Sequence, residues 1–333
     1  MKIGVIGAGS WGTTLANLLA KKNYAVTLWS YEKDLAERME RTRENDLYLP
    51  GISLAPGLSF TGNLAEVTAG KKLLLLVPPS QVMDAVMKQA IPHLSPETVL
   101  VSAAKGIETG SLRTMSDVLG DLLPPRDANR LAFLSGPSFA REVAAEMPTA
   151  IVAASRNEQV ARQVQTIFNT SYFRVYTNPD VIGVELGGAL KNVMALAAGV
   201  SDGLGFGCNT RAALITRGLA EMSRIGLALG ADPTTFAGLA GMGDLVLTCT
   251  GDLSRNRTVG MELGRGKGLK EILAGMTMVA EGVKTTLSAH QLAGKLKVEA
   301  PITEQMYCIL YEGKDPREAV TDLMLRELKS EGI

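Results

Sequence analysis

Short apolar runs separated by helical stretches dominate the first 180 residues of this 333-residue chain. Continuous apolar runs of strand length are typical of a parallel sheet whose two faces are both covered by helices. We therefore expect a doubly wound sheet, with a helix over residues 12–22 between the first two strands. The predicted strands cover residues 2–6, 25–29, 73–77, 98–103, 131–134, 149–154 and 173–176.

Near residue 180 the pattern changes to helical periodicity, after a turn at Asn178-Pro179-Asp180 that is typical of a helix start. The chain is also too long for one average domain. The sequence thus predicts the α/β class, with an α/β domain over 1–180 and an all-α substrate domain over 181–333. The predicted helices cover residues 181–200, 211–229, 254–265, 269–275, 281–295, 302–312 and 315–330.

A glycine-rich segment, Gly7-Ala8-Gly9-Ser10-Trp11-Gly12, connects the first predicted strand to the first predicted helix. Gly7 permits a tight turn, Gly9 lets the backbone approach a pyrophosphate, and Gly12 lets the helix pack close to the strand. The helix N-terminus adds free N–H groups and partial positive charge. In this strand–turn–helix context the motif predicts a Rossmann-type dinucleotide site rather than a glycine turn without a ligand.

The end of the second strand bears on which dinucleotide is used. An NAD site usually presents an acidic residue there to bind the ribose 2′-hydroxyl. Here Ser30 stands at that place, Glu32 follows two residues later, and Lys33 is available to a 2′-phosphate. We therefore expect NADP(H) to be preferred, while Glu32 leaves NAD(H) possible.

Composition narrows the function classes. Lys plus Arg and Asp plus Glu number 34 each, so no net charge favours nucleic acid or an anionic membrane. The three cysteines lie far apart, as in a cytosolic protein with reduced thiols, and we expect no metal site. No signal-peptide pattern and no apolar run of 18 residues occur, so we expect no membrane insertion. With only His93 and His290 present, a histidine base has few candidates.

Two segments of the second half carry candidate chemistry. Lys191 and Asn192 lie in an otherwise apolar helical stretch. Burial lowers the pKa of a lysine, which would make Lys191 a proton donor near neutral pH, unless its side chain reaches solvent from a core helix. Asp244, between glycines in Gly241-Met242-Gly243-Asp244-Leu245, would hold that ammonium or a substrate hydroxyl, unless it caps a helix.

A third segment, Ser254-Arg255-Asn256-Arg257, combines an expected N-cap with basic residues in the first helical turn. Cations are unfavourable at that end of the helix dipole. A bound anion resolves the conflict, because N–H groups, a hydroxyl, an amide and a guanidinium then converge on a phosphate. The alternative is an exposed basic turn.

Loops after the predicted strands of the first domain add further polar groups. They contain Lys105-Gly106 and Ser135-Gly136-Pro137-Ser138. Since ligands of open α/β sheets lie beyond the carboxyl ends of the strands, we expect these loops near the cofactor and substrate.

Taken together, these motifs closely resemble those of the bacterial NAD(P)-dependent glycerol-3-phosphate dehydrogenases, from one end of the chain to the other. The matching segments are residues 7–12, Ala104-Lys105-Gly106, 135–138, Glu185–Asn192, Gly243–Thr250, 254–257 and Val279-Ala280-Glu281-Gly282.

The resemblance implies reversible reduction of dihydroxyacetone phosphate to sn-glycerol 3-phosphate for phospholipid synthesis, in a cytoplasmic homodimer with an all-helical second domain. It implies that Lys191 is the proton donor and acceptor. The residues it implies at the substrate are Lys105, Gly136, Ser138, Lys191, Asp244, Ser254, Arg255 and Asn256. Those it implies at the dinucleotide, beside the three motif glycines, are Ser10, Trp11, Tyr31, Lys105, Ala140, Arg255, Val279 and Glu281.

Two alternatives remain open from the residues themselves. A related two-domain dehydrogenase acting on a hydroxyacyl-CoA or on ketopantoate would share the fold. The former commonly uses a His–Glu pair that neither His93 nor His290 is placed to supply, and the latter needs no phosphate-binding turn. A non-catalytic redox sensor would bind the dinucleotide without turnover.

Overall fold

The chain forms two units, each with its own apolar core. The computed structural model describes residues 1–276, 279–328 and 330–331. The first unit comprises Met1–Lys105 and Met115–Val181, and the second comprises Gly106–Thr114 with the described residues from 182 onward. Residues 106–114 join the helical unit because Ile107 is fully buried in its core and its carbonyl accepts a hydrogen bond from Ser288 Oγ at 3.2 Å.

An eight-stranded sheet forms the centre of the first unit, in the order β3-β2-β1-β4-β5-β6-β7-β8. Every residue of β4 and β5 is buried, as expected for strands covered on both faces. The strands are β1 Lys2–Ile6, β2 Ala25–Trp29, β3 Leu58–Thr61, β4 Leu73–Leu76, β5 Val99–Ser102, β6 Leu131–Ser135, β7 Thr149–Ala154 and β8 Phe173–Asn178.

Helices connect these strands. The α-helices are α1 Ser10–Lys21, α2 Lys33–Thr42, α3 Leu64–Thr68, α4 Met83–Ala90, α5 Met115–Leu122, α6 Ala140–Ala144 and α7 Glu158–Phe168. Short 3₁₀ turns add Ser80–Val82, Ile91–His93 and Pro125–Arg130.

The doubly wound, Rossmann-type architecture is confirmed, but the expectation of a parallel sheet is wrong in one place. β6 and β7 pair antiparallel, with Leu134 opposite Ala153. A parallel pair needs a crossover that carries the chain back along the sheet. Here the chain turns back instead, because the link contains the five-residue α6 and β7 then runs beside β6 in the opposite direction. β3, a four-residue strand at the sheet edge after Pro56-Gly57, was not predicted.

Every regular element described in the second unit is a helix. The α-helices are α8 Val181–Gly203, α9 Cys208–Ala228, α10 Pro233–Phe236, α11 Asp244–Thr250, α12 Arg255–Gly264, α13 Leu269–Ala274, α14 Glu281–Leu296, α15 Pro301–Tyr307 and α16 Pro316–Met324. Single π turns cover Leu239–Gly243 and Cys308–Glu312.

The predicted helices are present, with altered ends and one omission. The helix expected over 315–330 ends at Met324, and its residue 329 lies outside the described residues. The segment from α10 to α11, which includes Asp244, was not recognised as helical. α8 has the length and hydropathy to cross a membrane, but 89% of its most apolar window is buried, as in the core helix of a soluble protein.

Candidate active site

The turn between β1 and α1 has the geometry of an anion site. Gly7 has a φ of +113°, in the region that favours glycine. A Cβ on Gly12 would lie 1.9 Å from the Gly7 carbonyl oxygen, whereas a Cβ on Gly9 would meet no atom within 4 Å. No acidic residue lies in the first turn of α1, and its N-cap residue, Gly9, has no side chain that could cap it. The residues therefore fit a pyrophosphate at this helix N-terminus.

Several residues expected at the dinucleotide surround the first turn of α1. The Thr14 hydroxyl lies 2.9 Å from the carbonyl oxygen of Ser10 and 3.2 Å from that of Ala140, which brings α6 to this turn. Trp11 packs against the core of the first unit, its ring centroid 6.4 Å from that of Phe173. The sequence alone did not indicate that Thr14 links α1 to α6, because the Ala140 carbonyl oxygen that accepts its hydrogen bond lies 126 residues away along the chain.

Tyr31 lies two residues beyond the end of β2, the strand that pairs with β1. Its side chain is 81% exposed and its ring meets Trp29 edge-on at 6.3 Å. Across the described ranges, Tyr31 forms no hydrogen bond with the other residues expected at the dinucleotide. Its surface is therefore open to a ligand, and its role stays a prediction.

The loops that follow β5 and β6 meet at one carbonyl. Lys105 Nζ donates to the Gly136 carbonyl oxygen at 3.0 Å, and Ser138 Oγ donates to the same oxygen at 2.9 Å. Gly136 has a φ of +132°, a conformation that other residues rarely adopt. The structure thus groups three of the residues expected at the substrate at the carboxyl ends of neighbouring strands.

In the second unit, Lys191 and Asp244 form a buried ion pair. Lys191 Nζ donates to Asp244 Oδ1, and the two residues are only 7% and 1% exposed. The interpretation of Lys191 as a lysine reaching into solvent is therefore wrong. Asp244 is the first residue of α11 and follows Gly243, the N-cap residue, so it does not cap the helix as an N-cap side chain. Each charge compensates the other where an isolated charge would be costly to bury.

The surroundings of this pair contribute one more polar residue and a thiol. Thr248 Oγ1 donates to the Asp244 carbonyl oxygen at 2.6 Å and lies 3.4 Å from Asp244 Oδ1. Burial raises the pKa of Cys249 to about 12, although the positive charge of Lys191 opposes the shift. Cys249 thus remains a neutral thiol and does not compete for the charge of Lys191.

The turn at residues 254–257, here called the clamp turn, begins α12. Ser254 is its N-cap, as predicted, and its hydroxyl accepts from the Arg257 N–H at 3.3 Å. No acidic residue lies in the first turn, so the electrostatic conflict that suggested an anion is present. Anion binding there stays a prediction.

Arg255 connects the clamp turn to the start of α14. Its Nη1 donates to the Val279 carbonyl oxygen at 3.1 Å. Desolvation lowers the pKa of Arg255 and the negative charge of Glu281 raises it, but a guanidinium stays charged at any physiological pH. By surface area the residue is still exposed, so its charge is accessible to a ligand.

Asn256 has a structural role that was not predicted. Its Nδ2 donates to Asn192 Oδ1 at 2.9 Å, and its Oδ1 accepts from the Gly282 N–H at 3.0 Å. One amide thus joins α8, α12 and α14, and among the described residues its second N–H is left for a further acceptor. The signal in the sequence was an asparagine in each of two helices, whose pairing only the fold reveals.

A second link fixes the clamp turn against α8. Asp202 accepts from Arg257 Nε at 2.8 Å through one carboxylate oxygen and from Arg211 Nε at 3.0 Å through the other. The Asp202 side chain is 6% exposed, so both contacts are shielded from solvent. The guanidinium of Arg257 is therefore held in a structural ion pair with Asp202, which leaves Arg255 as the accessible cation of the turn.

Two family models together cover nearly the whole chain. Residues 2–161 match the model described as the NAD-dependent glycerol-3-phosphate dehydrogenase N-terminus. Residues 180–321 match the model described as its C-terminus.

Individual relatives agree. The chain is 66% identical over 331 residues to "Glycerol-3-phosphate dehydrogenase [NAD(P)+]" of Syntrophotalea carbinolica, covering 99% of each sequence. It is 65% identical over 332 residues to the protein of that name from Geobacter sp. strain M21, covering 100% of this chain and 99% of the relative. Among solved structures, glycerol-3-phosphate dehydrogenase from Coxiella burnetii superposes with a TM-score of 0.92 at 42% identity, covering 98% of this chain and 99% of that one.

Gly282 of α14 lies close to the hydrogen-bonded residues Asn192 and Asn256, here called the asparagine pair, and this contact leads to a testable prediction. A Cβ at Gly282 would lie 2.7 Å from Asn256 Oδ1 and 2.8 Å from the Asn192 carbonyl oxygen. We expect Gly282→Ala to lower the free energy of unfolding by about 1–3 kcal/mol, as overpacking does. Denaturant titration of the two proteins measures this.

Gly294→Ala is the matched control, because it lies on the same helix and its added Cβ would meet no atom within 4 Å. This variant should be neutral or more stable by up to about 1 kcal/mol. Equal effects of the two substitutions would contradict the account of the asparagine pair.

Proposed function

Because the chain belongs to the NAD-dependent glycerol-3-phosphate dehydrogenase family, we propose that it catalyses the reversible reduction of dihydroxyacetone phosphate to sn-glycerol 3-phosphate with NAD(P)H. The observation that carries the proposal is the buried Lys191–Asp244 pair, which holds a proton donor in a helical domain. In this proposal residues 1–180 form the dinucleotide-binding domain and residues 181–333 form the substrate domain that supplies Lys191, while each domain also contributes contacts to the other's ligand.

The dinucleotide site is assigned to the glycine turn and its neighbours. Gly7, Gly9 and Gly12 shape the turn, and the N-terminus of α1 faces the pyrophosphate. When bound, the reduced nicotinamide supplies the hydride that reduces the C2 carbonyl. The further residues assigned to the dinucleotide are Ser10, Trp11, Tyr31, Lys105, Ala140, Arg255, Val279 and Glu281.

Lys191 supplies the proton. As the carbonyl carbon is reduced, negative charge develops on its oxygen, and an ammonium aimed at that oxygen stabilises the charge and then donates its proton. Asp244 orients Lys191 through the hydrogen bond between them and offsets the cost of burying its positive charge. In the reverse direction the neutral amine accepts the proton of the alcohol.

The clamp turn binds the phosphate. The proposed contacts are the N–H groups in the first turn of α12, the exposed guanidinium of Arg255, a side-chain N–H of Asn256 and the hydroxyl of Ser254. Binding energy from a phosphate remote from C2 positions the reacting carbonyl. Lys105, Gly136 and Ser138 complete the proposed set of substrate residues.

The remaining assignments concern cofactor choice and cellular setting. We propose that NADPH is preferred and NADH accepted, since Ser30 rather than an acid directly follows β2 and Lys33 is exposed beside it. We further propose a cytoplasmic homodimer that supplies sn-glycerol 3-phosphate for phospholipid synthesis.

Loss of the proposed proton donor should abolish turnover but not dinucleotide binding. We expect Lys191→Ala to lower kcat for dihydroxyacetone phosphate by about 10²–10⁴-fold, with the Kd for NADPH unchanged. Initial-rate oxidation of NADPH and NADH in parallel, and fluorescence titration of each dinucleotide, measure the two quantities.

Lys270→Ala, which removes an exposed lysine of the same unit, is the control and should leave both unchanged. Near-normal turnover of Lys191→Ala would contradict the assignment of the donor. Dinucleotide binding by the wild type without ketone-dependent oxidation would favour the redox sensor instead.

Loss of the proposed phosphate contact should act on substrate binding. We expect Arg255→Ala to raise KM for dihydroxyacetone phosphate by about 10- to 100-fold, the range for a charge-assisted hydrogen bond of about 1.5–3 kcal/mol. Steady-state kinetics of the wild type, Arg255→Ala and Arg265→Ala measure the effect. Arg265, at the other end of α12, pairs with Glu262 and should leave KM unchanged. An unaltered KM in Arg255→Ala argues against the clamp.

A further inference from the structure

Two hydroxyl groups hold the carboxylate of Glu32 just beyond the end of β2. Ser30 Oγ donates to Glu32 Oε2 at 3.1 Å, and the Tyr48 hydroxyl donates to Glu32 Oε1 at 2.8 Å. Glu32 itself is the N-cap residue of α2, yet its side chain forms no capping hydrogen bond. The carboxylate is thus oriented by side chains rather than by its own helix.

The hydrogen bonds to Glu32 compensate for the missing acidic residue at position 30. Ser30 follows β2 directly and is fully buried, at the place where dinucleotide-binding folds carry the acid that binds the ribose 2′-hydroxyl. The hydrogen bond from Ser30 brings a Glu32 oxygen to within 3.1 Å of its hydroxyl. A carboxylate is therefore present at the end of β2, although Glu32 lies two residues further along the chain than the usual acidic residue.

The segment that carries Tyr48 is also bound to the glycine turn. Asn45 Nδ2 donates to the Ala8 carbonyl oxygen and to Thr13 Oγ1, each at 2.8 Å. Asn45 Oδ1 in turn accepts from the Tyr48 N–H at 3.0 Å. Residues 45–48 thus connect the glycine turn to the Glu32 carboxylate and fix the distance between the turn and the carboxylate.

We propose that Tyr48 is a positioning residue that sets the discrimination between NADH and NADPH by orienting Glu32. A carboxylate has about four acceptor positions, and Ser30 and Tyr48 occupy two, which leaves capacity for ribose hydroxyls. The same negative charge repels a 2′-phosphate, so the oriented Glu32 moderates the proposed preference for NADPH and keeps NADH acceptable. This inference rests on the proposed dinucleotide site.

The Tyr48 hydroxyl remains a donor under all ordinary conditions. Burial raises the pKa of Tyr48 to about 12, and the hydrogen bond and negative charge of Glu32 add to the shift. The phenol is therefore protonated throughout the physiological range and steadily orients the carboxylate.

Binding measurements without ketone test the inference independently of turnover. We expect Tyr48→Phe to shift the ratio of the Kd for NADH to the Kd for NADPH by about 3- to 10-fold toward NADPH. Glu32→Gln, which removes the charge itself, should shift the ratio in the same direction by about 10-fold or more. In the double variant the added effect of Tyr48→Phe should vanish, because there is no longer a carboxylate to position.

Tyr24→Phe is the matched control, since Tyr24 lies in the same unit, packs against its core and should leave the ratio unchanged. A thermal melt of each variant shows that it folds, and Glu32→Gln keeps the test valid if Tyr48→Phe does not. An unchanged ratio in folded Tyr48→Phe, or full additivity in the double variant, would overturn the role of Tyr48, and an unchanged ratio in Glu32→Gln would overturn the role of the carboxylate that it orients. Failure of the wild type to bind either dinucleotide would contradict the proposed cofactor site and this inference with it.

Discussion

The helical unit depends on one buried ion pair, Lys191 with Asp244. An isolated charge at either position would be costly, because an uncompensated buried ion loses several kcal/mol of hydration. The pair therefore requires α8 to meet the start of α11 closely. Gly187 makes this possible, since a Cβ there would lie 2.4 Å from the Ala240 carbonyl oxygen in the π turn before α11.

The rest of the proposed chemistry in this unit is arranged around the same helix. Asn192, next to Lys191, accepts a hydrogen bond from Asn256, and Asp202 near the end of α8 holds Arg257. Each link fixes the clamp turn against α8 and leaves Arg255 as its accessible cation. The proposed proton donor and the proposed phosphate contact are thus both tied to α8, which keeps their separation constant.

The sequence predicts local features well here. A glycine turn between an apolar strand and a helix identified the fold type, and Ser254 was recognised as an N-cap from its type and position. It does not predict partners distant along the chain. Asp244 was open to three interpretations, because only the packing of α8 on α11 brings it to Lys191, 53 residues away. The strand β7 was predicted but its antiparallel direction was not, since an apolar run predicts a strand and not the direction in which it pairs with its neighbour.

The central claim is that the ammonium of Lys191 donates the proton, and chemical rescue tests it most directly. In Lys191→Ala, added ethylamine or propylamine should restore ketone-dependent oxidation of NADPH in a saturable manner, as a primary ammonium occupies the space beside Asp244. Tetramethylammonium, which is charged but carries no proton to donate, should not. Equal rescue by tetramethylammonium, or no response of the variant to any primary amine, would contradict the account.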